Sequence, residues 1–150
     1  CRKHDIPLII NDDLDLVLKI NAEGLHVGKG DIAVPTARKY LADDKIIGVS
    51  CYNQFGRAVT AQTQGASYVA FGAFFPSATK IDAIRAEIKL LQMARGSLHI
   101  PVVAIGGIDL RNVGSLLQHG CITVAVCQGL FVSDDIRATA YEFSRLFNKF

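Results

Sequence analysis

Short apolar runs alternate along the chain with longer amphipathic stretches. The runs predict strands at Leu8–Asn11, Leu25–Gly28, Ile46–Cys51, Tyr68–Phe74, Val102–Gly106 and Thr123–Cys127. They are apolar nearly throughout, which suits strands covered on both faces, as in parallel sheets. Helical spacing fills the intervals. Leu14, Val17 and Leu18 form one apolar face, Phe55, Ala58 and Val59 a second, and Ile84, Ile88 and Leu91 a third that stops at Gly96. Pro35 fits a first helical turn ahead of Tyr40 and Leu41. Asp109 is a candidate cap for a helix carrying Val113, Leu116 and Leu117. Ser133 is the candidate cap for a last helix with Ile136, Ala140, Phe143 and Phe147 inward. Gly24, Gly65 and Gly120 each close a polar helix just before a strand, where a left-handed residue without Cβ is favoured.

Strand and helix therefore alternate throughout, which requires parallel strands joined by right-handed crossovers. No linker or low-complexity segment interrupts the pattern, so residues 1–150 read as one domain. Periodicity does not separate an open doubly wound sheet from a closed barrel. In both, functional groups gather at the carboxyl ends of strands.

At those ends stand Asn11 and Asp12, then a G-K-G-D loop ending in Asp31, then Ser50. FFPSATK follows with Ser77, Thr79 and Lys80, then Gly106-Gly107, and finally Cys127 and Gln128. Each alone has an ordinary explanation. Asp12 or Asp13 makes a good helix N-cap, Asp31 a loop residue, PSATK a surface turn, and Gly106-Gly107 a tight strand-to-helix turn. His26 reads as a satisfied core residue, and His99 and His119 as surface loop residues. Together they mean more. Carboxylates on neighbouring strand ends can share magnesium, which takes one or two carboxylates plus phosphate oxygens. Ser77, Thr79 and Lys80 offer hydrogen bonds and charge to phosphate, and the Gly106-Gly107 turn offers backbone N–H groups to a second anion. The sketch is a magnesium–diphosphate site beside a monophosphate site.

Composition narrows the choices. The chain has 150 residues, half of them hydrophobic, enough for a packed core. The net charge of +2, from 16 basic and 14 acidic residues, does not point to nucleic acid or a membrane surface. No apolar run approaches the roughly 20 residues of a membrane span. Cys1, Cys51, Cys121 and Cys127 match neither a redox pair nor a zinc knuckle, so buried, reduced thiols in a cytoplasmic protein are expected. There is no G-x-G-x-x-G, no P-loop, no serine–histidine–acid pattern and no activated-cysteine context.

LIINDDLDL, GLHVGKGD, KIIGVSCYN, GASYVAFGAFFPSATKID and IPVVAIGGI occur in that order. With these segments the sequence resembles the thiamine-phosphate synthase family, over nearly the whole chain. The resemblance implies a (β/α)8 TIM barrel of which strands three to eight are present here. It also implies a magnesium-dependent transferase of thiamine biosynthesis, which joins a pyrimidine methyl diphosphate to a thiazole phosphate and releases diphosphate. By position, Asp12 and Asp31 would be the metal ligands, and Asn11, Ser50 and Lys80 would contact the pyrimidine diphosphate. Ser77, Ala78, Thr79, Gly107, Cys127 and Gln128 would surround the thiazole phosphate. With Asp12 and Asp31, Lys80 would be catalytic, stabilising the leaving diphosphate.

Three residues depart from the family's pattern: Lys29 for Gln, Ser77 for Thr, and Cys127-Gln128 for an aliphatic residue and Ser. The last predicts a weaker thiazole phosphate site. The family's first two βα units, with a Q-x-R-x-K segment that also binds diphosphate, have no counterpart in this sequence. They amount to roughly 60 residues. Residues 1–150 alone are therefore expected to be unstable and nearly inactive, which a soluble 150-residue chain with turnover would refute. Two further readings stand beside the transferase: a thiazole tautomerase-like isomerase, and a non-catalytic phosphate-binding barrel. A homo-oligomer is compatible with all three.

Overall fold

The computed structural model describes residues 1–76 and 84–149. It shows an α/β fold with a parallel sheet of six strands in chain order. They are β1 (Ile9–Asn11), β2 (Gly24–Val27), β3 (Ile46–Tyr52), β4 (Tyr68–Phe71), β5 (Val102–Ile105) and β6 (Val124–Ala125). The helices are α1 (Leu14–Ile20), α2 (Val34–Arg38), α3 (Phe55–Thr63), α4 (Lys89–Ser97), α5 (Val113–Gln118), α6 (Gln128–Phe131) and α7 (Ile136–Phe147). Every predicted strand is present, shorter in most cases, because pairing ends where the chain turns into its loops. Among the described residues no helix is long and apolar enough to cross a membrane.

The described residues fall into two compact units. The first holds residues 1–51, 56–69 and 98–101, and the second holds the others. In the first, β1 and β2 pair with Ile9 opposite Gly24 and Asn11 opposite His26, and β2 and β3 with His26 opposite Gly48. Its core is Val17, Leu25, Val27, Ala37, Leu41, Ile47, Val49 and Val69, all buried. In the second, Ala104 of β5 lies opposite Val124 of β6. Phe71, Phe74, Leu91, Ala104, Val113 and Leu116 are buried there. Each such Val, Leu, Ile or Phe side chain contributes roughly 1.5–3 kcal/mol by leaving water.

Local expectations need several corrections. Gly24 is not a helix C′ residue: it lies inside β2, and Asn21 takes the left-handed turn after α1 at φ 50°. Asn tolerates that region, while Gly24 is needed for close approach, since a Cβ there would lie 2.5 Å from Ile46 O. Gly65 and Gly120 do adopt positive φ, at 89° and 81°.

The last helix is capped by Asp135, whose carboxylate accepts from Ala138 N at 2.8 Å, while Ser133 bonds the Thr139 hydroxyl. Asp109 accepts from Arg111 N and Asn112 N in the turn before α5, whose N-cap is Asn112. Three apolar faces are rotated from their expected positions. Leu18, Val59 and Ile136 are exposed, as α3 buries Ala58 and Ala61, and α7 buries Phe143. Ile84 is 69% exposed and precedes α4, which runs one residue past Gly96. Pro35 does sit in the first turn of α2, but Tyr40 lies beyond that helix and is exposed.

Candidate functional site

Three strand ends in the first unit carry the acidic and hydroxyl groups. Asp12 N donates to His26 O at 2.8 Å, extending the ladder one residue beyond β1. Asp13 then turns away to cap α1, accepting from Leu16 N at 2.8 Å. The ambiguity between these two aspartates is thereby resolved: Asp13 caps, and Asp12 keeps its carboxylate at the strand end. Asp12 does so at φ 64°, a left-handed conformation that costs a non-glycine residue of the order of 1 kcal/mol or more. Asn11 Nδ2 donates to Asp12 Oδ2 at 2.5 Å, which orients that carboxylate.

The loop after β2 turns at Gly30, with φ 102°, and brings Asp31 back to the strand it left. Asp31 Oδ2 accepts from Gly28 N at 2.7 Å. After β3's buried Val49, Ser50 Oγ lies 2.8 Å from His26 Nε2, and His26 Nδ1 lies 2.8 Å from the Tyr68 hydroxyl. The His26 and Tyr68 rings stack with centroids 5.5 Å apart. His26 is thus a satisfied, half-buried residue, as its sequence context implied. Burial lowers its pKa, with the Asp31 charge pulling the other way. Burial also raises the Tyr68 hydroxyl. Arg57, from α3, donates through Nε to Ser50 O at 2.8 Å and through Nη2 to Gly28 O at 2.9 Å. One guanidinium therefore ties together the two strand ends that carry Ser50 and Asp31. Arg57 and Asp31 also line a cavity of about 180 Å³ with Gly28, Val34, Thr60 and Gln64.

The donor set decides what this corner can hold. Among the described residues no group of three or more His, Cys, Asp and Glu side chains is assembled for a metal. His26 has both nitrogens engaged, which leaves carboxylate oxygens. Two exposed carboxylates are the ligand type of a hard divalent cation that takes its other oxygens from a phosphate ligand.

The second unit's candidate residues are built differently. Gly106 and Gly107 turn with φ 102° and 62°, and Phe75 N donates to Gly106 O at 3.0 Å. A Cβ on Gly107 would stand 2.2 Å from Pro76 O, and one on Gly129 2.2 Å from Ile108 O. Asn112 Nδ2 donates to Gly107 O at 2.9 Å and fixes the turn. Pro76, Gly107, Asp109, Arg111, Gln128 and Ser133 line a cleft of about 520 Å³. The Arg111 guanidinium holds the Asp109 carboxyl below the usual carboxylate range.

Of the residues singled out in the sequence, Asn11, Asp12, Asp31 and Ser50 gather at the carboxyl ends of β1, β2 and β3. Gly107 and Gln128 share the second unit's cleft. Cys127 is exposed at the start of α6 and does not line it. Ser77, Ala78, Thr79 and Lys80 lie outside the described residues. All four cysteines are free, but only Cys51 and Cys121 are buried, which corrects the expectation for Cys1 and Cys127. Burial pushes the Cys51 thiol up to about 11.

Sequence reasoning missed Arg57, Tyr68, Arg111 and Gly129. The one available signal was Gly48, a glycine in the middle of an apolar strand, which marks a close approach by another group.

Comparison with known proteins bears on the family of the chain as a whole. A sequence model of the family described as thiamine monophosphate synthase matches residues 1–130. A thiamine-phosphate synthase of Nitrosomonas eutropha is 56% identical over 147 residues, covering 98% of this chain and 69% of the relative. One of Nitrosospira multiformis is 48% identical, covering 99% of this chain and 64% of the relative. The thiamine phosphate pyrophosphorylase of Pyrococcus furiosus superimposes with a TM-score of 0.88 at 30% identity, covering 99% of this chain and 70% of that one. The chain thus spans about two thirds of the length of these relatives. On sequence and backbone alike, it belongs to the thiamine-phosphate synthase family.

Proposed function

We propose that this chain, within a protein that completes the barrel, catalyses the transfer for which its family is named: the pyrimidine methyl group passes from its diphosphate to thiazole phosphate, giving thiamine phosphate and diphosphate. Asp12 and Asp31 hold magnesium. Asn11, Ser50 and Lys80 contact the pyrimidine diphosphate, and Ser77, Ala78, Thr79, Gly107 and Gln128 surround the thiazole phosphate, with Cys127 next to Gln128 at the start of α6 but outside the cleft lining. The observation that carries this reading is the division of labour between Asp12 and Asp13. A neighbour already caps the helix, yet Asp12 still occupies a strained left-handed position at the end of its strand beside the Asp31 loop. Asp12 thereby presents a carboxylate at the carboxyl end of its strand, the ligand type that a hard divalent cation takes.

The residue types suit the chemistry. The nucleophile is the thiazole nitrogen, so no side chain needs to attack. Magnesium would supply charge to the departing diphosphate. Asp12 and Asp31 would fix its position, and Asn11 and Ser50 would hydrogen-bond the anion before and after the C–O bond breaks. On this reading the six strands are strands three to eight of an eight-stranded barrel, which the match over 70% of the Pyrococcus furiosus chain supports. Free cysteines support a cytoplasmic setting.

The test supplies both substrates and magnesium to the full-length protein and follows thiamine phosphate. Wild type should form it, and Asp12→Ala and Asp31→Ala should each lose most of the rate. Unchanged product in either variant would remove that residue from the metal site. A wild type that forms none would favour the isomerase or the binding protein.

A further inference from the structure

A row of hydrogen bonds in the first unit runs Tyr68–His26–Ser50 across β4, β2 and β3, with both contacts at 2.8 Å. Gly48 makes room for it. Gly48 is the register partner of His26, and a Cβ on it would lie 2.0 Å from the Tyr68 ring. The ring therefore rests on bare backbone, and from that seat its hydroxyl reaches Nδ1.

The direction of the row follows from proton accounting. Among the described residues His26 Nδ1 is the only hydrogen-bond partner of the half-buried Tyr68 hydroxyl. A hydroxyl proton withdrawn from water goes to the acceptor it has. Nδ1 is then the accepting nitrogen, so a neutral imidazole carries its proton on Nε2 and donates it to Ser50 Oγ. With its oxygen accepting from His26, Ser50 has its own O–H left for a ligand. A hydroxyl that accepts in this way is a stronger donor in turn. The opposite direction would spend the Ser50 proton on Nε2, strand the Tyr68 proton, and present only lone pairs to an incoming anion.

We infer that Tyr68 and His26 are positioning residues that set the direction of this row, so that Ser50 meets the diphosphate-bearing substrate as a hydrogen-bond donor. The inference rests on the reading of Ser50 as a diphosphate contact given under the proposed function.

The test reads the tautomer and the chemistry separately. With 15N-labelled histidine, long-range proton–nitrogen spectra distinguish an imidazole protonated at Nε2 from one protonated at Nδ1, and His26→Gln assigns the signal. Wild type should show the Nε2–H form, and Tyr68→Phe should shift it toward a mixture. An Nδ1–H form in wild type overturns the inference whether or not the protein turns over. In the synthase assay Tyr68→Phe should raise KM for the diphosphate substrate about fivefold, the equivalent of one ordinary hydrogen bond. Introduced into Ser50→Ala, the same change should add less than about twofold, because the donor it aligns is gone. Losses that multiply independently would also overturn the inference. A wild type with the Nε2–H form but no synthase activity supports the row and counts instead against the functional reading.

Discussion

On the proposed reading the two units would hold an anion in different ways. In the first, the groups are side chains, and each is braced by another. Asn11 orients Asp12, Gly28 N holds Asp31, His26 engages Ser50, and Arg57 ties two of the strand ends together. In the second, closely packed glycine backbone forms part of the wall, beside Asp109, Arg111, Gln128 and Ser133. Gly107 and Gly129 sit where any Cβ would meet a carbonyl at 2.2 Å, and the turn is fixed by Asn112. A side-chain site fails when a side chain is changed. A backbone site tolerates side-chain change and fails when backbone can no longer approach backbone. The departure at Cys127-Gln128 is therefore the place to learn which kind of site the second unit has.

The contrast can be broken most sharply in the first unit. Asp31→Ala should lower kcat on the order of a hundredfold or more while leaving the melting temperature nearly unchanged, because Asp31 is exposed. Asp12→Gly should lose activity to a similar extent while the melting temperature holds or rises, since glycine relieves the left-handed strain. A loss of activity that followed stability in both variants would erase the distinction. Next comes Gly107→Ala, expected to destabilise by about 2 kcal/mol in denaturant titrations and to weaken thiazole phosphate more than the diphosphate substrate. Arg57→Met removes a guanidinium that bonds two backbone carbonyls. It should cost about 1.5 kcal/mol and raise KM for the diphosphate substrate only. Smallest is Gln128→Ser, which should change KM for thiazole phosphate by less than about twofold. A tenfold improvement there would mean that the second site depends on its side chains after all.

Strands were legible in the sequence because two-sided burial demands uninterrupted apolar runs, and that demand is local. Strand ends were legible for the same reason: the apolar run stops, and Asp12, Asp31 and Gly107 follow, whereas Ser50 lies inside β3. Caps were less so. Asp109, Asn112, Ser133 and Asp135 all carry short polar side chains, and only the backbone path decides which of them reaches a free N–H. The helix faces were misread where alanine did the packing. Ala58 and Ala61 are buried in α3 while the larger Val59 faces solvent. The Tyr68–His26–Ser50 row was not legible, because its members lie 42 and 24 positions apart and meet only through strand register.

Strand register in the first unit also bears on how the protein is made. Ile9 pairs with Gly24 and Gly24 with Ile46, so each strand finds its neighbour in the very next segment of chain. The loops closed are short, and no early strand has to wait for a distant partner. As the polypeptide leaves the ribosome, this region can assemble strand by strand. Asn11, Asp12, Asp31 and Ser50 all lie on strands and loops made before most of the second unit, although residues 98–101 complete the first unit only later.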